Sequence, residues 1–200
     1  EDAGYIIRTA AEVATTESIA SDITYLNRVW EAVNRKAASV PAGSGIVINS
    51  NDKVEIFDND IRDNDTANII ISSYYATGWE GMRDMGGEYD PYPEAIYIYG
   101  NRMSGGGSSP DGLDLKALKV ALFGLNGRLP DVLWDGYYNA DKADADGKLL
   151  PDYAICVDNG DAQVLNADLP NGSADIVVGA DQHNCDHEKL APVVLEAPLG

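Results

Sequence analysis

Basic side chains are scarce in this chain: 14 lysines and arginines stand against 33 aspartates and glutamates, a formal net charge of −19 over 200 residues. Such a field repels nucleic acid, anionic lipid and polyanionic sugars within a Debye length of about 8–10 Å, so no nucleic-acid partner is expected. Two readings of the acidity stay open, solubility in a salty or extracellular setting and binding of divalent cations. No apolar stretch approaches the ~20 residues of a membrane-crossing helix, so no such span is expected. Histidine is confined to His183 and His187, and cysteine to Cys156 and Cys185. Neither cysteine lies in a CxxC or CxxCH arrangement, which leaves structural zinc and covalent haem unsupported. In an oxidising compartment the two cysteines would form one disulfide; otherwise they are buried thiols. The chain starts at Glu1 without a methionine or a signal peptide and reads as mature or trimmed.

What is present is a phrase used three times: Val54-Glu55-Ile56-Phe57-Asp58-Asn59, Ile96-Tyr97-Ile98-Tyr99-Gly100-Asn101 and Ala154-Ile155-Cys156-Val157-Asp158-Asn159. Self-similarity of this kind predicts stacked coils. Val54 would then lie under Ile96 and Ala154, and Ile56 under Ile98 and Cys156. Asn59, Asn101 and Asn159 would form a structural ladder in a turn, because asparagine tolerates the left-handed backbone and can bond to its copy in the next coil. The expected fold is an all-β solenoid, a right-handed parallel β-helix with an N-terminal helix and two long insertions. Ile19, Ile23, Leu26, Trp30 and Val33 make one apolar stripe at helical spacing. Residues 1–38 therefore read as an extension with an amphipathic capping helix. Residues 39–200 read as the β-helix domain, interrupted at about 74–93 and 104–153. The second insertion carries a helical pattern from Asp114 to Phe123, with Leu115, Leu118 and Leu122 on one side.

No catalytic constellation stands out. Asp58, Asp60, Asp63 and Asp65 are carboxylates on one coil, a pattern more typical of a solvated edge than of a glycosidase pair. Asp141, Asp144 and Asp146 approximate a calcium loop before Gly147, but Lys142 stands where its first acid belongs. Calcium is the one cofactor these residues suggest. Trp79, Tyr89, Tyr92 and Trp134 fall in the insertions and are the candidate binding residues, since aromatic rings offer flat apolar area to a glycan or a protein partner. They could equally pack the loops onto the core.

At these residues the chain resembles a bacterial family of exported parallel β-helix repeat proteins. The likeness rests on Ser39–Gly45, the Val54–Asn64 coil, Tyr89-Asp90-Pro91-Tyr92-Pro93-Glu94, Ser104–Gly107, Leu129–Gly136 and the Cys185-Asp186-His187 tail, and it covers roughly residues 39–195. The resemblance implies a periplasmic or extracellular location and association with c-type cytochromes, and it supplies no reaction. The expected function is a non-catalytic scaffold or binding protein. A carbohydrate-active enzyme of the lyase or epimerase type, and an accessory subunit on a cytochrome or filament, are the alternatives.

Overall fold

The structure, a computed structural model, describes residues 43–77 and 90–191. The capping helix expected within residues 1–38, and Trp79 and Tyr89, lie outside the described residues. By its contacts the chain divides between Ser39 and Val40, and every described residue belongs to the second part.

The described residues form ten short strands: β1 Ser44–Asn49, β2 Asp52–Phe57, β3 Asp60–Arg62, β4 Ala67–Ser72, β5 Glu94–Tyr99, β6 Arg102–Ser104, β7 Val132–Trp134, β8 Ile155–Asp158, β9 Val164–Asn166 and β10 Val177–Gly179. Among the described residues one α-helix, α1, spans Leu113–Phe123. The strands collect into sheets of five (β1-β4-β7-β9-β10), three (β2-β5-β8) and two (β3-β6). All pairs are parallel except β9–β10. Corners are made by left-handed residues placed one above another, as at Asp58 and Gly100 and at Asp63 and Gly105.

Isoleucine and valine fill the space between the sheets. Ile69, Ile71, Ile96, Ile98 and Val132 have no exposed surface and share one cluster with Ile48, Ile56, Ile155 and Val164. β-Branched side chains suit strands because they pack well on a pleated surface, and each one buried contributes roughly 1.5–3 kcal/mol. A second cluster, built on Ala67, Ile70, Leu129, Leu133 and Leu165, lies under α1, which reaches it through Leu115, Leu118 and Phe123.

The all-β solenoid is corrected by this topology. The arrangement is mixed α/β with three separate sheets, not a closed right-handed β-helix. Only the first two passes of the chain place a strand in each sheet. Where a third pass would continue into the β3–β6 sheet, Asn159-Gly160-Asp161-Ala162 closes a tight turn through Ala162 N to Asn159 O at 3.2 Å. The chain then turns back on itself, with β10 antiparallel to β9.

The register is corrected too. Val54 pairs with Ile96 and Ile56 with Ile98, but it is Ile155 and Val157 that continue those rows. Cys156 pairs with Tyr97, one residue away from the expected row. A shift of one residue sends a side chain to the opposite face of a sheet, and here it releases Cys156 to bond with Cys185. The left-handed residues of the ladder turn are Asp58, Gly100 and Gly160, not the asparagines beside them.

Candidate functional site

Three tyrosines meet on one side of the described structure. Tyr75 lies 5.4 Å from Tyr92 and 5.3 Å from Tyr137, centroid to centroid. Each is set by a short polar side chain just before it. Asp90 accepts from Tyr92 N at 3.1 Å, Asp135 accepts from Tyr137 N at 3.0 Å, and the Ser73 hydroxyl accepts from Ala76 N at 3.3 Å. These are local side-chain-to-backbone turns. Gly136 sits at φ +88, where a Cβ would meet Asn166 Oδ1 at 2.5 Å and the Asp168 backbone at 2.9 Å, so no other residue fits that turn. Burial, and then the hydrogen bond with Tyr75, push the Tyr92 phenol up to about 12. Tyr75 keeps 36% of its surface exposed.

Beside the rings lies a charged cluster. Asp52 and Glu94 open β2 and β5 and are partners in the register, so parallel pairing sets their carboxylates side by side. The next residues, Lys53 (φ 54) and Ala95 (φ 52), are both left-handed. Such strain is sparse in proteins and tends to collect at functional sites. Asp90 joins them, and carboxylate oxygens of Asp52, Asp90 and Glu94 all lie within 4.8 Å of one another. Lys142, on the turn Ala140–Lys142, donates to Asp90 Oδ2 at 2.7 Å and to Glu94 Oε2. Its ammonium also stands 4.9 Å from the centre of the Tyr153 ring.

Burial, with Asp90 adding to it, raises the Asp52 carboxyl above its ordinary range. Burial raises Glu94 as well, against the pull of Lys142. For Lys142 burial acts downward, but the hydrogen bonds to Asp90 and Glu94 outweigh it and hold the ammonium charged. Glu94 is 2% exposed, and its Oε1 is buried without a hydrogen-bond partner.

The residues singled out in the sequence are dispersed. Tyr92 belongs to the tyrosine trio. Trp134 does not: it is 7% exposed in β7, in the core cluster, with its ring edge-on to His183 at 5.7 Å. Asp144 turns its carboxylate onto backbone N–H groups, accepting from Asp146 N at 3.0 Å and Lys148 N at 2.9 Å. The Asp141 N–H donates to Asn139 Oδ1 at 3.1 Å. These three acids form no group with metal-ligand geometry among the described residues, where Asp52, Asp90 and Glu94 do. Asn59, Asn101 and Asn159 lie one above another, with Asn101 Oδ1 accepting from Asn59 N at 3.0 Å and Asn159 Oδ1 from Asn101 N at 2.6 Å.

The tail strap is built from the remaining two residue types. Cys156 and Cys185 form a disulfide. His183 Nδ1 and His187 Nε2 bond to the carbonyls of Ile155 and Ala154 at 2.9 and 2.8 Å. Burial lowers the His183 pKa below its ordinary 6.5, so the folded ring stays neutral. The unfolded chain takes up that proton first as pH falls through about 6.5, so stability is lost on acidification. The difference in unfolding free energy between wild type and His183→Phe is expected to shrink as pH drops from 7.5 toward 5.5, measured by urea titration. Taking the difference cancels the raised carboxylates Asp52, Glu94 and Asp135, whose linkage has the opposite sign.

The site had partial signals in the sequence. Asp90 and Glu94 both lie in the run Tyr89-Asp90-Pro91-Tyr92-Pro93-Glu94, without any sign that Asp52 would join them. Lys142 spoils the calcium-loop pattern, and that same residue is the cation of the cluster.

The described site is thus a carboxylate group with one lysine, set beside stacked phenol rings. A model of the Ribonuclease E/G family matches residues 1–102, just over half of the 200-residue chain, and the chain belongs to that family. The match contains Asp52, Tyr75, Asp90, Tyr92 and Glu94, while Tyr137 and Lys142 lie beyond it. No curated protein and no solved structure matches the chain. The family match overturns the resemblance to exported β-helix repeat proteins, and with it the scaffold function, both alternatives to it, and the cytochrome or glycan partner. It also overturns the exclusion of nucleic acid. Net charge acts as a screened field, whereas recognition is decided by the groups at the site.

Proposed function

We propose that the chain acts on RNA in a ribonuclease-related role, with its backbone handled at the Asp52, Asp90, Glu94 and Lys142 cluster and its bases stacked on Tyr75, Tyr92 and Tyr137. The observation that carries the reading is the junction of these two groups in a member of this family. Single-stranded RNA offers splayed bases, and every base has a face that an aromatic ring can stack. Tyr75 has the exposed surface for such a contact, and its neighbours hold its orientation. Cleavage of a phosphodiester requires neutralisation of charge on the phosphoryl oxygens and a group to take the nucleophile's proton. Lys142 and the carboxylates are of the types that do this work.

The test is binding and cleavage of a fluorescent single-stranded RNA. Tyr75→Ala is expected to weaken binding about 5- to 150-fold, the range for loss of one stacked base, with an unchanged circular dichroism spectrum. RNA left intact and unbound by the wild-type chain, or bound equally by Tyr75→Ala, would refute the proposal.

A further inference from the structure

We infer that the cavity between the last core strands and the tail strap binds a small, uncharged, planar heterocycle that carries a hydrogen-bond acceptor and a donor side by side on one edge. The cavity measures about 600 Å³, within the roughly 300–1,000 Å³ usual for small-molecule sites. Trp134 of β7, Ile155 of β8 and Asn166 of β9 bring three strands to it, and Tyr138 and Leu149 add apolar surface from the connection between β7 and β8. Residues 181–185 form another wall. They are fixed by the Cys156–Cys185 bridge and by His183 Nδ1 on Ile155 O at 2.9 Å. The walls are therefore set before a ligand arrives, which spares the cost of ordering them on binding.

Two rings lining this cavity each keep an unused nitrogen. Trp134 is 7% exposed, and its Nε1–H is buried with no hydrogen-bond partner among the described residues. An indole N–H can only donate, and a buried donor left unpaired costs about 1–3 kcal/mol. His183 is 5% exposed and stands edge-on to the indole, with ring centres 5.7 Å apart. A carbonyl only accepts, so the contact with Ile155 O puts the imidazole proton on Nδ1 and leaves Nε2 with its lone pair. Among the described residues nothing donates to that nitrogen. Neighbouring rings thus offer one donor and one acceptor. Their complement is a lactam edge, where a C=O adjoins an N–H. Because the indole N–H is shut off from water, a ligand bond to it displaces nothing, while the ligand must press the flanking side chains apart to reach it.

Charge decides which heterocycles can enter. Asp144, Asp146 and Asp181 are exposed around the cavity, and Lys148 is the one cation among its described lining residues. Three acids against one base leave a negative rim, which repels a phosphate or carboxylate on the ligand. Flat apolar faces suit the aromatic and aliphatic walls. A free heterocycle fits these conditions and an RNA strand does not. The inference goes beyond the proposed action on RNA and does not rest on it.

The probe is isocarbostyril, an uncharged bicyclic lactam, titrated into the full chain. Binding is followed by calorimetry and by the Trp134 indole N–H resonance, which is identified by its loss in Trp134→Phe. One molecule per chain is expected, with a shift of that resonance. The N-methylated analogue keeps the ring and the carbonyl but has no N–H to give His183, and should bind about 2- to 13-fold more weakly, the range for one neutral hydrogen bond. In His183→Phe the two ligands should bind equally, an effect that loss of packing alone would not produce. A carboxylate on the far ring of the lactam should weaken binding at least tenfold. No saturable binding of isocarbostyril by the wild-type chain overturns the proposal, and so does equal binding of its N-methylated analogue. Binding of the carboxylated form as tight as that of the parent overturns the selection for an uncharged ligand. Displacement of the lactam by single-stranded RNA would assign the cavity to RNA and overturn the proposal too. Lactam binding with the expected variant effects stands whether or not the chain acts on RNA.

Discussion

Opening the Cys156–Cys185 bridge is expected to cost about 3–4 kcal/mol of stability. The two residues are 29 apart in sequence, and a loop of that length loses roughly this much closure entropy in the unfolded chain when cross-linked. The bridge also does structural work in the folded chain. β8 is the last strand of its sheet, and the tail lies against it. Besides the disulfide, the tail is held there by the two histidine contacts to Ile155 O and Ala154 O. Without the covalent link those contacts and the ring packing of His183 on Trp134 and His187 on Tyr97 must hold residues 181–187, and the buried edge of β8 opens more often. Urea unfolding of wild type and of Cys156→Ala/Cys185→Ala gives the cost, and amide exchange at Ile155–Asp158 reports the opening. A midpoint unmoved by the double substitution would show that the unfolded chain gains nothing when the constraint is removed.

Asn101→Ala is expected to cost about 2–3 kcal/mol. The Asn101 side chain joins two passes of the chain. Its Oδ1 accepts from Asn59 N and from Asn59 Nδ2, both at 3.0 Å. Its Nδ2 donates to Ile56 O at 2.8 Å and to Tyr99 O at 3.1 Å. Asn59 is exposed and can turn to water, whereas Ile56 is 6% exposed and its carbonyl cannot. The cost is therefore set by that stranded carbonyl more than by the number of bonds lost. Asn59→Ala is the control, with an expected effect under about 1 kcal/mol. Both values come from chemical denaturation. Equal effects for the two substitutions would mean that burial of the Ile56 carbonyl does not govern the ladder.

The sheets and the site differ in how far they could be read from residues alone. Val54, Ile56, Ile96 and Ile98 alternate with polar neighbours or tyrosines, and period-two alternation is a local property that survives in any context. On α1 the spacing of Leu115 and Leu118 is legible as a helical face, but Leu122, expected beside them, is 44% exposed and Phe123 packs on the second cluster instead. The third copy of the phrase misleads because its turn is one residue shorter: Asn159 is followed by its left-handed glycine, where Asn101 follows one. A single missing residue moves the whole strand across the pleat, and the phrase by itself carries no sign of it. Trp134 is misleading in another way. It looks like a loop aromatic between glycines and aspartates, yet β4 and β9 pair with it on both sides and bury it.

The residues alone determined the apolar rows of the first two copies of the phrase and the pair of cysteines able to bond. These follow from backbone sterics and from side-chain periodicity, which act over a few neighbouring positions. The tertiary structure alone decided that the passes stop short of a closed coil, that Cys156 faces the tail, and that Asp52, Asp90, Glu94 and Lys142 come together. The last of these joins residues up to 90 positions apart, and only the pairing of β2 with β5, together with the return of the 140–153 segment, brings their charges within reach of one another.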